Sequence, residues 1–119
     1  MIKVLVVDDD EDLLQMIGIM LRAHKMQPNC VGEAGTVRKI INNSRPDVIL
    51  MDIFLGNYDG RTICSQLKSD PEFAHIPVIL YSAAHLTAES VLESGADEFL
   101  HKPFSMNMLV GIIEHLAKS

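Results

Sequence analysis

Short apolar runs alternate along this chain with longer amphipathic ones, and that rhythm sets the expected architecture. The runs at Ile2 to Val7, Pro28 to Val31, Val48 to Met51, Val78 to Tyr81 and Glu98 to Leu100 have strand length. The first, third and fourth are apolar on both faces, as central strands of a parallel sheet are. Between them, apolar residues recur at helical spacing: Leu13, Leu14, Ile17 and Leu21; Val37, Ile40 and Ile41; Ile63 and Leu67; Val91 and Leu92; then Met108, Leu109, Ile112, Ile113 and Leu116. Five strand–helix alternations joined by right-handed crossovers predict an α/β, doubly wound parallel sheet with helices on both faces.

Punctuation marks the joints. Pro46 precedes the third strand, Pro77 precedes the fourth, and Gly95 stands where a helix C-cap glycine belongs before the fifth. The second run is short and contains Pro28, which an edge strand tolerates.

Open parallel sheets bind ligands beyond the carboxyl ends of their strands, and that rule gathers residues distant in sequence. Asp8 and Asp9 end the first strand, Asp52 the third and Ser82 the fourth, while Lys102 follows the fifth. Three carboxylates at one rim repel one another unless a cation lies among them, and oxygen donors with room for water suit Mg²⁺. The remaining acids of the run, Asp10, Glu11 and Asp12, are expected to open the first helix, where negative charge suits the dipole. Each residue alone also has a plain structural role open to it. Asp8 or Asp9 could cap the first helix and Ser82 the fourth, Asp52 could be a loop carboxylate, and Lys102 could be a solvated surface lysine. Their coincidence at the ends of different strands favours a site.

Composition narrows the class. The 119 residues suffice for one domain, with no repeat, low-complexity segment or linker to divide them. Ten Lys and Arg against 16 Asp and Glu leave a net charge of −6, which argues against a general nucleic-acid binder. Cys30 and Cys64 lack metal-site spacing and are expected to be small buried or half-buried residues in a reducing compartment. No apolar run approaches the ~20 residues of a membrane span, and no signal-peptide pattern is present, so a cytoplasmic location is expected.

The segments "VLVVDDDEDL", "DVILMDIFLGNYDG", "IPVILYSA" and "EFLHKPF" together resemble the receiver domains of two-component response regulators, and the similarity runs from Ile2 to the last helix. The resemblance implies a flavodoxin-like (βα)5 receiver fold with strand order 2-1-3-4-5, occupying residues 1–119 as a single domain. By the same resemblance Asp52 matches the phosphoacceptor, and Asp8 and Asp9 match the acidic pair that holds Mg²⁺ together with Asp52 and the backbone carbonyl of Phe54. Ser82 matches the switch hydroxyl, Lys102 the family lysine, Phe99 the aromatic switch position, and Lys102-Pro103 a dipeptide usually cis. The implied function is that of a signalling phosphoacceptor in a phosphorelay, not an enzyme acting on other substrates. Its implied donor is a sensor histidine kinase or phosphotransfer protein. Its implied output is a downstream effector met through the face of the fourth helix, fifth strand and fifth helix, with a possible homodimer on phosphorylation and no nucleic-acid or membrane contact.

Two departures stand out. Leu55-Gly56 replaces a common Met-Pro, although Asp59-Gly60 falls where the family has Asp-Gly, and Phe99 lacks the hydroxyl of a tyrosine. The chain ends at "HLAKS", close behind the last helix, which suits either a stand-alone receiver or an excised one. Three other readings compete, and one of them, a degenerate receiver serving only as an interaction module, is set aside because all five site residues are present. A haloacid-dehalogenase-like phosphatase would use an Asp-x-Asp motif, which Asp8-x-Asp10 supplies, but would normally carry a cap domain and would not need Asp52. A flavodoxin-like electron carrier would want a Ser/Thr/Gly-rich first loop, and an acidic one repels a flavin phosphate.

Overall fold

A computed structural model describes residues 1–118. Five parallel strands form one sheet: β1 (Lys3–Val7), β2 (Gln27–Val31), β3 (Val48–Asp52), β4 (Val78–Ser82) and β5 (Glu98–His101), in the order β2-β1-β3-β4-β5. The order reverses at β1, which pairs with both β2 and β3, so the crevice expected at the carboxyl ends lies beside Asp8 and Asp52. All five residues of β3 and of β4 are buried, as their unbroken apolar runs require.

The crossover helices are α1 (Glu11–Ala23), α2 (Val37–Ser44), α3 (Gly60–Lys68), α4 (Ala88–Leu92) and α5 (Met106–Ala117). Strand alternation splits the core in two. Val4, Val6, Leu50 and Ile79 pack with Leu14 and Ile17 of α1 and Leu109 and Ile113 of α5. Leu5, Val7, Met51 and Leu80 pack on the other face with Ile41 of α2, Leu67 of α3 and Val91 of α4. Leu14, Ile17 and Leu21, spaced three and four apart, are the buried stripe of α1.

Pro28 lies in β2, an edge strand as expected. The C-cap of α4 is Glu93, and Gly95, expected there from the spacing, stands two residues on at φ +94, closing the turn after the helix by donating its N–H to the Leu92 carbonyl. Asp10 caps α1, its side chain accepting from the N–H groups of Asp12 and Leu13, and Glu11 and Asp12 fill the first turn, as expected of these acids. One detail differs from expectation. Cys30 is exposed, while Cys64 is buried; an edge strand leaves part of its surface uncovered, and the apolar run around Cys30 is too short to bury it.

Candidate functional site

The carboxyl rim is assembled from three strand ends. Asp8 follows β1 and is fully buried; Asp52 closes β3 with 7% exposure; Ser82 closes β4 and is fully buried. Lys102 reaches the rim from the turn after β5, where the Lys102-Pro103 bond is cis, as the resemblance implied. Its ammonium lies 2.9 Å from Asp52 Oδ2 and 3.4 Å from Asp8 Oδ2. One cation thus serves two buried carboxylates.

Each carboxylate has further donors. Asp8 Oδ1 accepts the Asp10 N–H at 2.9 Å, and Asp8 Oδ2 accepts the Tyr81 hydroxyl at 2.6 Å. Asp52 Oδ1 accepts the Phe54 N–H at 3.0 Å. Beyond Asp52 the chain turns through a small hairpin, Phe54–Leu55 against Tyr58–Asp59, that the hydrophobic pattern does not predict. Asp59 caps α3, and Gly60 starts it with its N–H 2.6 Å from the Ile53 carbonyl. A Cβ at Gly60 would come within 2.5 Å of the Asp52 carbonyl oxygen, so the Asp59-Gly60 pair lets α3 begin directly against the Asp52 backbone.

Burial raises the Asp52 carboxyl above the ordinary carboxylate range. The Lys102 ammonium and the Phe54 N–H pull it down only in part, and the charge of Asp8 pushes it further up. Burial pulls the Lys102 ammonium down, but the hydrogen bond and charge of Asp52, with those of Asp8, more than offset that and hold it above its usual value. Burial, then the hydrogen bond and charge of Asp8, push the Tyr81 phenol far upward, so it is a permanent donor.

Of the residues expected at the site, Asp8, Asp52 and Lys102 meet directly. Ser82 stands beside them in the rim: its backbone carbonyl accepts the Lys102 N–H at 2.9 Å, and its Oγ accepts the Ala84 N–H at 3.0 Å, tying the loop after β4 to the hydroxyl. Asp9 is exposed, and among the described residues no three His, Cys, Asp or Glu side chains are gathered closely enough to hold a metal by themselves. The donor chemistry nonetheless fits Mg²⁺, since the rim offers hard carboxylate oxygens carrying more negative charge than Lys102 neutralises. Phe54 has an exposed side chain, and Phe99 is half-buried on edge strand β5 with its ring 4.7 Å from that of His101.

Sequence reasoning passed over Tyr81, treating it only as the end of an apolar run. Its ring lies 4.9 Å beneath the Lys102 ammonium and meets Phe104 edge-on at 5.5 Å. Strand parity could have found it: position 81 shares its sheet face with Ile79, the face that also carries Val6 and Leu50, two residues before Asp8 and Asp52.

A sheet of this order with paired carboxylates and a lysine at its switch point defines a class, and the comparisons with known proteins agree. The family model of the response regulator receiver domain matches residues 4–114, and the chain belongs to that family. The response regulator PleD of Caulobacter vibrioides is 34% identical over 118 residues, covering 98% of this chain and 26% of that protein. The DNA-binding response regulator MtrA of Mycolicibacterium smegmatis is 34% identical over 110 residues, covering 91% of this chain and 47% of that protein. The chain thus spans about a quarter to a half of the length of these curated relatives. Among solved structures, the receiver domain of the Francisella response regulator 1452 superposes with a TM-score of 0.91 at 30% identity, covering 99% of this chain and 98% of that one. The flavodoxin-like receiver fold expected from the sequence is therefore the fold observed. Among the described residues no helix is long and apolar enough to cross a membrane.

Proposed function

We propose that Asp52 is the phosphoacceptor of this chain, taking a phosphoryl group from a phosphohistidine on a sensor histidine kinase or phosphotransfer protein in a Mg²⁺-dependent reaction. The shared ammonium carries this reading: Lys102 Nζ stands 2.9 Å from Asp52 Oδ2 and 3.4 Å from Asp8 Oδ2 at the carboxyl rim. A carboxylate oxygen of Asp52 attacks phosphorus in line. The O–P bond forms as the P–N bond of the donor breaks, and the electron pair leaves with the imidazole nitrogen. Lys102 then meets the charge gathering on the phosphoryl oxygens, in a setting where one fixed cation matters more than it would in water. Asp8, Asp9 and Asp52, with the Phe54 carbonyl, are the groups that would hold Mg²⁺, which when bound neutralises phosphoryl charge.

The output follows from the same rim. The Ser82 hydroxyl, drawn to a phosphoryl oxygen, pulls on the loop at residues 83–87, because Oγ already holds the Ala84 N–H. That loop leads into α4, only five residues long, capped by Thr87 and with Val91 as its one buried residue. Phe99 turns inward into the space released, and the α4-β5-α5 face offers an effector, or a second copy, an altered surface. Residues 1–119 act in this reading as one receiver domain whose only chemistry is on its own aspartate. The test is incubation with acetyl phosphate and Mg²⁺ followed by mass spectrometry. One added phosphoryl group is expected in the wild-type protein and none in Asp52→Asn; label persisting in Asp52→Asn overturns the assignment.

A further inference from the structure

Tyr81 is fully buried, and its hydroxyl donates a short bond to Asp8 Oδ2 at 2.6 Å. The other oxygen of Asp8 takes the Asp10 N–H at 2.9 Å. These two donors come from different elements, β4 and the start of α1, so the carboxylate cannot rotate without breaking one of them. An ionised carboxylate has about four lone-pair sites, so both bonds leave acceptor capacity for another cation. The ring does separate work: it lies 4.9 Å beneath the Lys102 ammonium, and Phe104 holds it edge-on at 5.5 Å.

We propose that Tyr81 is a positioning residue for divalent-cation binding at the rim, its hydroxyl locking Asp8 in the orientation that meets the ion and its ring seating Lys102 beside Asp52. The inference rests on the reading of Asp8 as a Mg²⁺ ligand. Outer partners of ligating carboxylates and imidazoles commonly set metal affinity by about 10–100-fold. Phenylalanine at position 81 keeps the ring, and with it the Lys102 seat, and removes only the O–H, so the two roles come apart.

The experiment is a Mg²⁺ titration of the full chain followed by amide shifts in two-dimensional NMR, for wild type and Tyr81→Phe. The expected result is binding about tenfold weaker in Tyr81→Phe, with unchanged far-ultraviolet circular dichroism. Phosphorylation by acetyl phosphate should need about tenfold more Mg²⁺ for half its maximal rate, yet recover to within about twofold of wild type when Mg²⁺ is saturating. A merely structural role would lower the saturated rate as well. Equal Mg²⁺ affinity in the two proteins overturns the inference and leaves the metal reading intact, whereas a wild-type chain that shows no saturable Mg²⁺ binding overturns both. Should Tyr81→Phe fold poorly, 3-fluorotyrosine placed in the wild-type chain reports directly, the Tyr58 signal being assigned from Tyr58→Phe. The Tyr81 fluorine resonance is expected to move with the same half-saturation as the amides, and a resonance indifferent to saturating Mg²⁺ refutes the role.

Discussion

Two lysines in this molecule each hold an aspartate at 2.9 Å, and they do opposite things. Lys68, at the end of α3, donates to the carbonyls of Ala74 and Ile76 and to Asp97 Oδ2, and the same Asp97 oxygen accepts the Val78 N–H. That cluster sits at the amino ends of β4 and β5, where its three acceptors match three ammonium protons, one carboxylate to one cation. It pins a loop and is complete. Lys102, at the opposite rim, faces two buried carboxylates and leaves them undercharged. An ion-pair distance therefore says little about role; the local charge balance says more. The balanced site is structural, and the unbalanced one has capacity for another cation and for a reaction that gathers negative charge.

The strongest way to break this contrast is to remove each lysine. Lys102→Met should slow phosphorylation by about 10²–10³-fold, the usual loss when one fixed stabiliser of transition-state charge is deleted. It should also lower the melting temperature, because two buried carboxylates lose their counter-charge, and added Mg²⁺ should restore much of that stability. Lys68→Met should destabilise by about 1–3 kcal/mol through its unmet acceptors, with no recovery in Mg²⁺ and a normal phosphorylation rate in the folded protein. Acetyl phosphate kinetics and thermal melts on the pair decide the matter, and equal rates would erase the distinction.

Acidity gives the next largest effect. Burial leads the causes that raise the Asp52 carboxyl above its ordinary value of about 3.9. A raised acid binds its proton more tightly in the folded chain than in the unfolded one, so between the ordinary and the raised value the native state holds more protons and stability falls as pH rises. The penalty is complete above the raised value and fades as pH drops through it. Asp52→Asn should therefore melt higher than wild type at pH 7, by a margin that shrinks on acidification. Phosphorylation should fall about tenfold per pH unit once pH drops below the raised value, since only the carboxylate attacks. A wild-type rate flat down to the ordinary carboxylate range would show that Asp52 ionises freely.

How far the sequence foretold these two regions differs for a physical reason. The rim was legible because three strand-ending polar residues and a lysine after the fifth strand interrupt long apolar runs, and the parallel-sheet rule brings such interruptions together. Its Tyr81 support was hidden because a tyrosine in an apolar run reads as core, and only the partner of its hydroxyl gives it a site role. The Lys68 pin was invisible, since two of its three acceptors are backbone carbonyls that carry no side-chain signature. The start of α1 was legible as well, because Asp10, Glu11 and Asp12 are acids standing where the helix dipole favours negative charge.

Glycines sharpen the comparison at smaller amplitude, because each site has one pressed against it. A Cβ at Gly60 meets the Asp52 carbonyl oxygen at 2.5 Å, which is backbone and cannot swing away, whereas a Cβ at Gly95 meets Lys68 Cγ at 2.9 Å, part of a flexible side chain. Gly60→Ala should cost about 1–3 kcal/mol by overpacking and slow phosphorylation by displacing Asp52. Gly95→Ala carries the strain of φ +94, roughly 1–2 kcal/mol, and should leave the phosphorylation rate unaltered. Chemical denaturation beside rate measurements separates them; an unaffected rate in Gly60→Ala would show that Asp52 is not set by the start of α3.

The smallest effect concerns the water that removes the phosphoryl group, for which the Lys68 pin has no counterpart. Loss of the phosphoryl group from Asp52 requires a water in line with the O–P bond, and Phe54, two residues on, has a side chain that is 48% exposed. Its N–H is already committed to Asp52 Oδ1, so only the side chain is free to influence that water. An apolar ring beside that path would offer no hydrogen bond to orient the attacking molecule. Ala84, two residues beyond Ser82, is small, but a small side chain without an orienting group provides little of the advantage of proximity. The ring should therefore dominate and the phosphorylated form should be long-lived. Phe54→Asn, which supplies an orienting amide, should quicken dephosphorylation several-fold, within the ~10²-fold or more that positioned proton-transfer groups can contribute, while leaving the melting temperature nearly unchanged. Mass spectrometry of the decaying phosphoprotein in both chains measures it, and a rate equal to or below that of wild type would mean that water reaches Asp52 by a path Phe54 does not control.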